Sequence, residues 1–104
     1  METKKRDQLT SGTIKIYEKL VRSIVHQMQN IIGDVAIAQA NKVKGLKTNH
    51  KTKIVGAPIE VIENLLTHYT GLIGSVSITL SKKAIKQILK ENKNLKVPEE
   101  LRGD

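Results

Sequence analysis

"LIGSVSITLSKK", residues 72–83, decides the fold, because it supports two incompatible readings and because residues 31–42 echo it as "IIGDVAIAQANK". Taken alone, Val76–Leu80 alternates and is rich in β-branched side chains, the pattern of a short strand. Taken with its echo it is helical, since residues 35–40, "VAIAQA", are Ala-rich and alanine is the strongest helix former.

Working outward at the same offset, Ile32/Ile73, Gly33/Gly74, Val35/Val76, Ile37/Ile78 and Lys42/Lys83 are identities. Leu20/Val61, Val21/Ile62, Ile24/Leu65, Val25/Leu66 and Ile31/Leu72 keep aliphatic character, and Ala36/Ser77 and Ala40/Ser81 stay small. The pattern reads as a duplicated unit of about 40 residues. In the first unit Ile14, Tyr17, Val21, Ile24, Met28, Ile31, Val35 and Ala38 step by three and four. Ile62, Leu65, Tyr69, Leu72 and Val76 do the same in the second, so each unit reads as a long helix.

Ser11 or Thr13 is the expected cap of the first helix, and Pro58 with Glu60 behind it opens the second. The segment between them, "KTNHKTKIVG" (47–56), is a loop with a short strand at Thr52–Val55. The chain is therefore expected to be mainly α, with units at about 13–46 and 57–92 inside one domain spanning 11–97. Residues 1–10 read as a disordered basic and polar tail, and 98–104 as a terminal turn packed through Leu101 or a frayed end. The alternative is α+β, with strands near Thr52–Val55 and Val76–Leu80, Gly74 ending a helix and Ser81 capping the next.

Around each Gly the apolar residues encircle the helix instead of forming one stripe, and such a helix needs cover on every side. Gly33, Ala36 and Ala40, like Gly74, Ser77 and Ser81, would form small-residue strips that let backbones approach. A two-helix hairpin cannot bury that surface alone. A homodimer building a four-helix core is expected, with Ile32, Gly33, Ile37, Ala40, Ile73, Gly74 and Ile78 at its interface.

Catalytic chemistry has no footing in the sequence. No nucleophile–base pair, paired carboxylates or phosphate-loop spacing occurs, so no catalytic residue is assigned and the chain reads as a non-enzyme. Cysteine is absent, and His26, His50 and His68 show no ligand spacing, so neither a metal nor a cofactor is expected. Asp34 reads as a polar helix-surface or interface residue, not a catalytic carboxylate. "GLIG" (71–74) is formally a GxxG, but Leu72 and Ile73 stand where polar residues would grip a nucleic-acid backbone. The terminal Arg102-Gly103-Asp104 is read as coincidence. No apolar run reaches the length of about 18 residues that a membrane helix needs, and residues 1–10 lack the apolar core of a signal peptide. The expectation is a cytoplasmic protein without membrane association.

Charge is the one feature with functional colour. The 104 residues carry 18 basic and 10 acidic side chains, a net charge of +8. Lysines cluster at Lys42, Lys44, Lys47, Lys51 and Lys53 and again at Lys82, Lys83, Lys86 and Lys90, with Lys93 and Lys96 beyond. Each cluster follows the apolar core of its unit. Lysine meets phosphate as a point charge without arginine's fork for guanine, so DNA or RNA would be bound with little sequence preference. Only two residues, Tyr17 and Tyr69, are aromatic, which argues against a platform for stacking single strands. The competing reading is a helical protein-interaction or oligomerisation module whose lysines reflect a thermophile-like composition.

Overall fold

Thr10 caps the first helix, its side-chain oxygen accepting the Thr13 backbone N–H at 3.1 Å. The computed structural model describes residues 10–49 and 51–102; the rest of the expected N-terminal tail, His50, and Gly103 and Asp104 of the C-terminal tripeptide lie outside the described residues. The cap falls one residue before Ser11, because Thr10 is the last extended residue and so the one free to turn its hydroxyl back. From there α1 runs Ser11–Ile32 and buries Tyr17, Leu20, Val21, Ile24, Val25 and Met28. Each such aliphatic side chain removed from water contributes about 1.5–3 kcal/mol before the entropy of ordering is charged.

The long helix expected in the first unit is broken at Gly33. That residue has φ 71° and ψ −153°, a conformation that glycine alone adopts without strain. The chain folds back through Asp34 into α2 (Val35–Ala40). A two-stranded antiparallel hairpin follows, β1 (Leu46–Lys47) against β2 (Lys53–Ile54). The strand expected at Thr52–Val55 is thus present in its central two residues.

In the second unit α3 spans Pro58–Ile73, with Pro58 in its first turn and Glu60 favouring the positive end of the helix dipole. Gly74 ends it at φ 79° and ψ −165°, and α4 (Val76–Glu91) begins two residues later. The strand alternative at Val76–Leu80 is therefore overturned: that segment is the first part of a helix. Its β-branched residues do not decide the matter, because the serines between them do. Ser77 and Ser81 fall four apart on the buried face, where small side chains let α4 lie close to its neighbours. The long helix expected in the second unit is likewise two helices.

The two units share one turn, bond for bond. Gly33 N–H donates to Gln29 O at 2.9 Å, and Gly74 N–H to Thr70 O at 2.8 Å. Ala36 N–H donates to Gly33 O at 3.0 Å, and Ser77 N–H to Gly74 O at 3.1 Å. Burial also agrees position by position: Ala36 and Ser77, like Ala40 and Ser81, are fully buried, whereas Ile31 and Leu72, like Val35 and Val76, are about half exposed.

α1 packs chiefly against α4, while α3 packs against both α2 and α4. Folding back at each Gly lets one chain cover the small-residue strips that a straight hairpin would have left open. The premise that a second copy must cover Ala36, Ala40, Ser77 and Ser81 therefore fails. The terminal turn α5 (Glu99–Arg102) packs against α4 through buried Leu101, the first of the two outcomes expected there. Among the described residues the fold is mainly helical, and no helix is long and apolar enough to cross a membrane.

Candidate nucleic-acid interface

The loop lysines are presented by a hairpin nailed down from beneath. Asn41 Oδ1 accepts the Thr48 backbone N–H at 2.8 Å while its Nδ2 donates to Asn49 Oδ1 at 2.8 Å. Glu18 on α1 accepts the Ile54 N–H at 3.1 Å, and the buried hydroxyls of Thr48 and Thr52 lie 3.2 Å apart. With Leu46 and Ile54 paired on the inner face, strand alternation forces Lys47 and Lys53 outward, directly opposite each other. Like charges so placed destabilise an antiparallel pair. Lys51, Lys42 and Lys44 are exposed around the same hairpin.

On α4, Lys83, Lys86 and Lys90 recur at three- and four-residue steps and are exposed, which aligns them on one solvent-facing stripe. Lys82, one residue to the side, is half-buried. Between this stripe and the terminal turn lies an open cleft of about 510 Å³, lined by Thr79, Lys82, Lys83, Lys86, Leu89, Leu101 and Arg102. Four cations and no carboxylate line it.

Three side chains at this surface, Arg102, Arg22 and His26, were not assigned to it from the sequence. Arg102 reaches the α4 cleft only because Leu101 docks, a tertiary event that no local spacing announces. Arg22 and His26, four apart on α1, border a cleft of about 170 Å³ shared with Lys51, Thr48 and Thr52 of the hairpin region. The same two side chains border an opening on their other side against Ala84 of α4. They therefore stand between the hairpin lysines and α4, and their spacing was the visible signal.

The residues assigned to an oligomer interface separate in the fold. Ala40 is fully buried within the chain, Ile32, Ile37, Ile73 and Ile78 are half-buried against its core, and Gly33 and Gly74 lie exposed in the two turns. Elsewhere, His68 Nδ1 lies 3.3 Å from Gln39 Oε1, His26 is solvent-exposed, and Gln29 Nε2 donates to exposed Asp34 at 3.3 Å. Among the described residues no three His, Asp or Glu side chains converge on a point that could hold a metal ion. No family model, curated protein or solved structure matches the chain.

Proposed function

We propose that this protein is a small non-catalytic nucleic-acid-associated protein, architectural or regulatory, that holds phosphate backbones through lysine and reads little sequence. The observation carrying the reading is the Lys47–Lys53 pair, two cations opposed on the outer face of a two-residue ladder. Such a pair costs stability in isolation and is relieved by an anion lying across it. The lysine stripe of α4 poses the same problem and has the same remedy. Polyanions with regularly spaced phosphates suit both, and duplex DNA is the simplest probe.

The test is fluorescence anisotropy on two unrelated duplexes from low to physiological salt. Each phosphate neutralised releases counterions, so log affinity should fall with log salt at roughly 0.9 per contact on duplex DNA. Replacing Lys47 and Lys53 with Gln should weaken binding to both duplexes equally and flatten that slope. No binding by the parent at low salt would remove the proposal. A protein-interaction module with no nucleic-acid role is the second reading, favoured by exposed apolar side chains beside the two turns.

A further inference from the structure

Among the described residues, four of the five exposed large apolar side chains flank the two glycine turns, the fifth being Val55 beside the hairpin. Ile31 (54% exposed) and Val35 (47%) stand two residues before and two after Gly33, while Leu72 (46%) and Val76 (49%) stand in the same relation to Gly74. The two turns lie at one end of the molecule. Tyr69, five residues before Gly74, donates its hydroxyl to the carbonyl of Ala36, three residues after Gly33, at 2.7 Å. Two like apolar tips therefore share a single end.

That end is also where charge is missing. No Lys or Arg occurs in residues 23–41 or 54–81, and Asp34 is the sole charged side chain in the segments 29–38 and 70–79 around the turns. In a chain of net charge +8, the two turn segments carry no cation and one carboxylate. A charged partner has almost nothing there to recognise. An anionic membrane is a poor occupant too, because interfacial surfaces that bind it flank their apolar residues with Lys or Arg.

We infer that the turn end docks a second copy of this chain. Two molecules of like net charge repel when their basic surfaces meet, and least when their neutral ends do. A contact between two copies related by a two-fold axis must be self-complementary. Two tips of matching shape and chemistry satisfy this: the Ile31/Val35 tip of each copy meets the Leu72/Val76 tip of the other. The contact removes four half-exposed aliphatic side chains per copy from water and leaves both sets of lysines pointing outward. The inference does not rest on nucleic-acid binding.

Sedimentation equilibrium on the full chain, from micromolar to hundreds of micromolar, tests it at high and low salt. The parent should move from the mass of one 11.6 kDa chain toward twice that mass with rising concentration. High salt should preserve or strengthen the association while abolishing any binding to DNA, which separates the two proposals. The double variants Val35→Lys/Val76→Lys and Ile31→Gln/Leu72→Gln should remain single chains with the parent's helical circular dichroism. Circular dichroism of both pairs keeps a folding defect from being mistaken for weakened association. A parent that stays monomeric throughout overturns the inference, as does a well-folded variant pair that dimerises like the parent. Retention of the monomeric parent on phosphatidylcholine vesicles would assign the end to a lipid surface instead.

Discussion

The Tyr69 hydroxyl donates to the carbonyl oxygen of Ala36 at 2.7 Å, tying the first helix of the second unit to the second helix of the first. Tyr17 makes the corresponding long-range tie near the other end, donating to Lys96 O at 2.7 Å. Both tyrosines of the chain thus secure backbone carbonyls far away in sequence.

Tyr69→Phe removes a buried hydrogen bond and should cost about 0.5–1.5 kcal/mol in denaturant titration. Alkaline pH gives an independent check. Burial raises the Tyr69 phenol above its ordinary value of 10.0, so the folded chain holds a proton that the unfolded chain releases. Where the folded state binds more protons, stability falls as pH rises. Stability should therefore be unaffected by this group below pH 10.0 and decline above it, and Tyr69→Phe should remove part of that decline. An unchanged alkaline slope would rule out Tyr69 as its source.

Gly33→Ala and Gly74→Ala should each cost about 1–3 kcal/mol, because both positions hold backbone torsions that are essentially confined to glycine. A Cβ at either site would meet nothing within 4 Å. The penalty is therefore torsional, not steric, and Leu should cost about the same as Ala. Matched losses in denaturant midpoint at the two sites are expected from their matched torsions. A much larger penalty for Leu than for Ala would point to overpacking, which the open surroundings argue against.

Ser81→Ala should stabilise the protein by about 1 kcal/mol, since removing a desolvated hydroxyl recovers what its burial costs. Its Oγ is buried without a hydrogen-bond partner, and Ala40 occupies the corresponding place in the first unit. Ser77 is the control. Its hydroxyl donates to Gly74 O at 2.9 Å, so Ser77→Ala should destabilise. Thermal unfolding of both variants decides the pair, and opposite signs are required.

Helical content, Pro58 as a helix start and the equivalence of residues around Gly33 and Gly74 were legible because they rest on spacing and local chemistry. The reversal of the chain was not. A glycine inside an apolar run is compatible with an unbroken helix, and only tertiary packing, with Ala36 and Ala40 buried and Ala36 tied to Tyr69, makes the turn the better solution. The same blindness moved the small residues from a supposed surface to the interior: Ala40 and Ser81 are small because two helices of one chain meet there. The lysines of the candidate interface were legible as clusters, whereas their opposition across the hairpin needed the register of Leu46 against Ile54. Arg102 joined them only through the docking of Leu101.

The α4 cleft gives the nucleic-acid proposal its most quantitative consequence. Lys82, Lys83 and Lys86 line it together with Arg102, and with no carboxylate among the lining residues an entering phosphate meets only attraction from their charges. Replacing the three lysines with Gln keeps a polar side chain of similar helix propensity while removing charge, so the fold should be retained. Relieving like-charge repulsion along the helix should even raise the unfolding midpoint slightly, because such pairs at these spacings destabilise. Binding should weaken evenly across unrelated duplexes, and the log affinity against log salt slope should flatten by up to about three units, one for each lysine–phosphate pair removed. Arg102→Gln should flatten it by about one more if the terminal turn contributes to the same seat. A triple variant with the parent's slope would place the phosphates elsewhere, leaving the hairpin pair Lys47 and Lys53 to hold them. A strong preference for one duplex that survives the substitutions would instead mean that base edges are being read, which lysine charge alone cannot do.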